Sequence, residues 1–224
     1  VDPLRWRKPR RVFVNSMSDL FHEELSDDSI DRVFAVMALA PQHQFQILTK
    51  RPQRMLTYLA NPDLTDRLTE IWQEGHRDRA TWTLMLPLEN VWLGVSVEDQ
   101  ATADERIPLL LQTPAAVRFV SAEPLLGPVD LSGRLGECCG FPKHELVAGE
   151  DHEVCCGNHS AGLDWAVVGG ESGPGARPMQ IEWAQSLQRQ CGEASVPFFM
   201  KQLDGKRKKL SDFPGDLRVR EFPA

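Results

Sequence analysis

Polar groups that can do chemistry stand in a few short clusters along this chain, and each cluster follows an apolar run. Asn15-Ser16-Met17-Ser18-Asp19-Leu20-Phe21-His22-Glu23 follows Val12-Phe13-Val14, and Thr49-Lys50-Arg51-Pro52 follows Phe45-Gln46-Ile47-Leu48. Ser96-Val97-Glu98-Asp99 follows Val91-Trp92-Leu93-Gly94-Val95, and Ser121-Ala122-Glu123-Pro124 follows Val117-Arg118-Phe119-Val120. Gly169-Gly170-Glu171-Ser172-Gly173-Pro174-Gly175 follows Trp165-Ala166-Val167-Val168, and Lys201-Gln202 follows Val196-Pro197-Phe198-Phe199-Met200. Asp19, Glu98, Glu123 and Glu171, set beside Lys50 and Lys201, can hold a zwitterionic or metal-linked ligand. Lysine offers a point charge to a carboxylate, and acidic side chains accept from an ammonium or from ribose hydroxyls. Gly169, Gly170, Gly173 and Gly175 let backbone approach a ligand closely, although a glycine-rich turn also serves as a tight loop. One polar strand end is ordinarily a helix cap; six in succession point to a shared rim.

Those clusters need elements to position them. The six apolar runs are rich in β-branched and aromatic residues, which suits parallel strands buried on both faces. Helical spacing lies between several of them. After Ser26, an N-cap residue, Ile30, Val33, Phe34, Met37 and Ala38 repeat until Pro41 stops the helix. Leu64, Leu68, Ile71 and Trp72 repeat the pattern, as do Ile181, Ala184, Leu187 and Cys191. Strands alternating with such helices predict an α/β fold with a parallel sheet, a (β/α) barrel or part of one, in a single domain over 1–224. In either form the functional face is the rim at the carboxyl ends of the strands.

Composition bounds the function. The 224 residues are 42% hydrophobic and 25% charged, which is a globular balance. No stretch is apolar enough for a membrane span and no signal-peptide pattern opens the chain, so a soluble, cytoplasmic protein is expected. The net charge of −7 argues against a passive nucleic-acid coat. Two basic runs, 5–11 and 206–209, read either as solvated faces or as phosphate contacts, so nucleic acid stays a possible partner that the net charge does not indicate. The chain opens on Val1-Asp2-Pro3-Leu4-Arg5-Trp6 without an initiating Met, and a missing upstream segment is expected.

Five cysteines without a secretory signal suggest a reducing compartment. Cys138-Cys139 and Cys155-Cys156 lie in a polar, Gly-rich insert at 132–162, with His144, His152 and His159 in it. Zinc, free or disulfide-linked thiols, and an accessory iron–sulfur cluster are the alternatives there. Cys191 reads as core packing. His22 is a potential acid or base near the rim, or a capping residue; His43 and His76 show no partner in the sequence. The six tryptophans read as packing rather than as a stacking platform, and no phosphate-loop motif is present.

Taken together, Asn15 to Glu24, Leu48-Thr49-Lys50-Arg51-Pro52, Gly94-Val95-Ser96-Val97-Glu98, Ser121-Ala122-Glu123-Pro124-Leu125 and Gly169-Gly170-Glu171-Ser172-Gly173 closely resemble a phage-associated family. This is the phage gp-thirty-seven/gp-sixty-eight type, a domain of unknown function. That family in turn resembles the radical S-adenosylmethionine barrels of the spore photoproduct lyase-like branch. The resemblance implies a radical-SAM/TIM-like barrel lacking its first strand–helix unit. It also implies that Ser16 or Ser18, Lys50 and Ser96 hold S-adenosylmethionine. Members carry, upstream of the segment matching Pro3-Leu4-Arg5-Trp6, a three-cysteine loop for a [4Fe–4S] cluster, whose irons need thiolate ligands. No such triad occurs here before residue 138.

The leading expectation is therefore a radical S-adenosylmethionine-like enzyme barrel without its cluster-binding loop. Nucleic-acid modification or repair is its natural theme by analogy. A catalytically silent barrel that binds a small ligand or a protein partner is the second reading. A metal-dependent hydrolase built on Asp19, Glu98, Glu123 and Glu171 is the third, weakened because no histidine sits at a strand end.

Overall fold

Side chains that need burial on both faces set the strands, and the crossovers between them supply the helices. The computed structural model describes residues 3–75, 84–136, 162–203 and 210–223. In chain order the main elements are β1 (Arg11–Val14), α1 (Asp27–Leu39), β2 (Gln44–Thr49), α2 (Pro52–Leu59), α3 (Leu64–Gly75) and β3 (Val91–Ser96). Then follow α4 (Gln100–Gln112), β4 (Val117–Ala122), β5 (Trp165–Gly169), α5 (Ile181–Glu193) and β6 (Phe198–Gln202). They fall in two compact units, one drawn from Val1–Val95 with Arg106–Arg118, the other from Ser96–Glu105 with Phe119–Ala224.

In the first unit the strand order is β1-β2-β3, all parallel, with Val12 opposite Phe45 and Ile47 opposite Leu93. The described first-unit residues of β3 are buried without alternation, as expected for a strand covered on both sides. β1 departs from that expectation. Arg11 and Phe13 are exposed while Val12 and Val14 are half-buried, because β1 is the edge of the order. Ser26 caps α1 as the sequence predicts, its hydroxyl accepting from the Ser29 amide at 3.4 Å.

A buried polar network joins the three helices of this unit. Asp31 of α1 accepts from the Tyr58 hydroxyl of α2 at 2.7 Å and from Arg67 Nε of α3 at 2.9 Å. Burial, with the Asp31 carboxylate beside it, drives the Tyr58 phenol well above its ordinary pKa. His43, for which the sequence offers no partner, is buried between Trp6 and Phe45 and bonds the Pro3 carbonyl through Nε2 at 3.0 Å. Since a carbonyl only accepts, Nε2 carries the proton.

In the second unit the order is β4-β5-β6, again parallel, with Phe119 opposite Trp165 and Ala166 opposite Phe198. β5 is buried at every position. Leu187 and Cys191 of α5 are buried with it in the unit's core, and burial pushes the Cys191 thiol up to about 12. The described ends of the predicted insert are pinned together. Leu135 and Leu163 form a parallel bridge, and a Cβ on Gly162 would overlap the Gly136 carbonyl.

Parallel pairing in chain order, with helices in the crossovers, is the pattern of a (β/α) barrel or part of one. The sequence periodicity marked α1, α3 and α5. It passed over α2, which opens on Pro52 at its first position, and α4, which carries Pro108 inside it.

Candidate functional site

In the first unit, the loop after β1 is shaped by Asn15, whose φ of 57° is left-handed, a conformation asparagine tolerates. The Ser18 amide donates to the Asn15 carbonyl at 3.1 Å, closing a turn that leaves Ser16 and Ser18 exposed. Asp19, next in the chain, turns inward. Its carboxylate accepts from the Thr49 hydroxyl at 2.8 and 3.0 Å, the Lys50 amide at 3.1 Å, Arg51 at 3.1 Å and the Phe21 amide at 2.9 Å. Arg51 also meets Glu23 at 2.9 Å. Asp19 thus clamps the β1 loop to the end of β2. Lys50 gives Asp19 its amide and presents its side chain outward. His22 Nδ1 accepts from the Glu24 amide at 3.3 Å, the local capping role its position suggested.

In the second unit the loop after β4 is stapled at two points. The Leu125 amide donates to the Gly169 carbonyl at 2.9 Å and the Leu126 amide to the Glu98 carbonyl at 2.8 Å. The Val97 amide reaches the Ser121 carbonyl at 2.9 Å, which brings the buried Ser96 and half-buried Glu98 to the carboxyl end of β4. Between these staples stands Glu123. Its Oε2 meets Lys201 Nζ of β6 at 2.6 Å, the carboxylate 16% exposed and the lysine 53%. A Cβ at Gly169 would lie 3.3 Å from Glu123 Oε1, so glycine there gives the carboxylate its room. Gly170 is held by Gln202, donating its amide at 3.0 Å and accepting from the Gln202 side chain at 2.9 Å.

Glu171 is engaged differently. Its two oxygens take the fork of Arg177 at 2.8 and 2.9 Å, and the Arg177 amide adds a third bond at 2.8 Å. That guanidinium holds the Glu171 carboxyl at about 2. Glu171 therefore closes its own glycine-rich loop. Residue types at strand ends do not reveal this pairing. Opposite charges flanking Ser172-Gly173-Pro174-Gly175-Ala176 are the signal that could have.

Magnitudes separate these carboxylates. Opening Asp19 breaks several charge-assisted bonds, each contributing about 1.5–3 kcal/mol, and opening Glu171 breaks the three that Arg177 donates. Glu123 is held by one bond, to a lysine whose head is half in water. Of the three, Glu123 exchanges its partner most easily.

Residues 1–215 match the family model described as Protein of unknown function (DUF5131). The chain belongs to that family. No curated protein matches the chain, and no solved structure does. The family match covers both units and therefore both groups of strand-end residues.

Among the described residues, no three of His, Cys, Asp and Glu are grouped so as to hold a metal ion. Cys138, Cys139, Cys155 and Cys156, the candidate metal ligands, lie outside the described residues. No helix among the described residues is long and apolar enough to cross a membrane.

Proposed function

We propose that this protein binds S-adenosylmethionine through its α-amino-acid end, with Glu123 and Lys201 as the recognising pair. The observation that carries the reading is their contact at the carboxyl ends of β4 and β6, a sheltered carboxylate against an exposed ammonium. An α-amino acid presents the complementary pair. Its ammonium takes the place of Lys201 at Glu123, its carboxylate takes Lys201, and both protein charges stay paired throughout. Exchange is cheap because a single bond, to a lysine half in water, holds the resident pair. Gly169 keeps the space beside Glu123 open. Bound S-adenosylmethionine supplies a sulfonium with activated carbon–sulfur bonds; this chain's residues bind and orient it.

The radical S-adenosylmethionine resemblance supports this ligand and adds Ser96, of the same unit, as a further contact. The iron–sulfur half of that chemistry finds no ligands in the described residues. Their one cysteine, Cys191, is buried with its thiol pushed up to about 12, and a cluster needs several thiolates. The role proposed for Glu123 and Lys201 is binding and orientation of the ligand.

A catalytically silent binding module is the second reading. It is favoured by the engagement of Asp19 and Glu171 with internal partners, which removes two carboxylates from acid–base work.

Isothermal titration with S-adenosylmethionine tests the ligand assignment. The unmodified protein binds, and Glu123→Gln and Lys201→Ala each weaken binding at least about tenfold, about 1.4 kcal/mol. Equal affinity in all three proteins overturns it. Ser96→Ala, measured alongside, tests the contact implied by the resemblance.

A further inference from the structure

Residues 5–11 carry five cations and no acidic residue, in a chain whose net charge is −7. All five side chains, Arg5, Arg7, Lys8, Arg10 and Arg11, are exposed. Their main chain is nevertheless anchored. The Trp6 amide donates to the Pro3 carbonyl at 3.2 Å, the carbonyl that buried His43 also holds. The Trp6 ring meets His43 edge-on at 5.4 Å and carries the Arg10 guanidinium 4.8 Å over its face. At the far end the Gln44 amide donates to the Arg10 carbonyl at 2.9 Å, and Arg11 Nε to the Gln44 side chain at 3.1 Å.

Fixing Arg7, Lys8 and Arg10 between Arg5 and Arg11 in so short a segment concentrates positive charge that the chain cannot dilute by spreading out. A polyanion relieves it, and an already ordered backbone spares the ligand the entropic cost of ordering one. Four of the five cations are arginine, whose planar fork matches phosphate oxygens. A second feature narrows the partner. Phe13 is 46% exposed on β1 and, by strand alternation, on the same side as Arg11. An exposed ring beside a basic track is the pairing that holds unpaired bases by stacking while cations follow the backbone. A membrane surface would call instead for an amphipathic helix with a continuous apolar face.

We propose that residues 5–11, with Phe13, form a binding surface for single-stranded nucleic acid, with phosphates against the cations and a base stacked on the Phe13 ring. This surface lies in the first unit, and the proposal does not depend on the amino-acid ligand assigned to Glu123 and Lys201.

Fluorescence anisotropy with a short labelled DNA strand and the RNA of the same mixed sequence tests it, with their duplexes and anionic vesicles as further arms. The protein binds both single strands, or one of them by preference, more tightly than duplex or vesicles. Log affinity falls with log salt, at a slope of about −2 if Arg7, Lys8 and Arg10 each meet a phosphate. Arg7→Glu with Lys8→Glu weakens binding at least about tenfold and flattens that slope, while Arg32→Glu with Arg189→Glu, the same charge change elsewhere, leaves it within about twofold. Phe13→Ala weakens single-strand binding by about tenfold at an unchanged slope, and Phe13→Trp restores it. Absence of binding, equal losses in the two double variants, an unaffected Phe13→Ala, or tighter binding to vesicles or duplex each overturns the proposal.

Discussion

The Thr49 hydroxyl donates to both oxygens of the Asp19 carboxylate, at 2.8 and 3.0 Å. Two residues thirty positions apart in sequence thereby lock the loop after β1 to the end of β2. Asp19→Ala leaves the Thr49 hydroxyl, the Lys50 amide and Arg51 without their acceptor, and should cost about 3 kcal/mol in urea unfolding. Thr49→Val should cost less, about 1 kcal/mol, since the other donors remain. Unchanged stability in Asp19→Ala would return that carboxylate to the list of ligand contacts.

Gly169→Ala is a finer probe of the second unit. The new Cβ stands 3.3 Å from Glu123 Oε1 and 3.4 Å from the Gln202 side chain, so Glu123 has to shift by a few tenths of an ångström. Fold stability should stay within about 1 kcal/mol while affinity for S-adenosylmethionine drops roughly tenfold. An unaltered affinity would separate Glu123 from the ligand.

Acid should loosen the glycine-rich loop in a defined window. The folded-state pKa of Glu171, about 2, lies below its ordinary 4.5, so its contribution to stability is complete above about 4.5 and disappears as pH falls toward 2. The stability difference between the parent and Glu171→Gln should therefore shrink across that interval. A difference that stays constant with pH would show that the Arg177 fork adds nothing to folding.

Gly162 should tolerate no side chain. A Cβ there would overlap the Gly136 carbonyl where the Leu135–Leu163 bridge closes, and backbone cannot yield as a flexible side chain can. Gly162→Ala should cost about 2 kcal/mol or more, seen as a lower Tm. Gly133→Ala is a useful contrast: its strain comes from a φ of 72° alone, with open space around the Cβ.

Removal of Asp31 should be the most damaging change in the first unit. Asp31→Ala strands the buried Tyr58 hydroxyl and leaves the partly exposed Arg67 without its carboxylate, at a cost of about 3 kcal/mol or more. Tyr58→Phe removes one bond and should cost about 1–2 kcal/mol. Denaturant unfolding of the two variants and their combination would measure the coupling.

Much of this architecture was readable beforehand. All six strands are where the apolar runs stand, and the Ser26 cap and Pro41 bracket α1 as periodicity and capping rules require. The helix α4 was hidden by Pro108, although Asp99-Gln100-Ala101-Thr102 carried a capping signal, and Asp99 Oδ1 does accept from the Thr102 amide at 2.9 Å. Phe13 departs from the doubly buried strand its run predicts, because three apolar side chains in a row say nothing about which strand lies at the edge.

The sequence by itself determined the order of strands and helices and delivered charged groups to the strand ends, since both follow from local periodicity and residue type. Only the tertiary structure decided what those charges do. Asp19 and Glu171 carry the same charge as Glu123, yet Arg51 and Arg177 bind the first two into the frame while one half-exposed lysine attends the third. A carboxylate's role is set by how many donors reach it and how deeply it is shielded from water, and both depend on which distant segments fold against it.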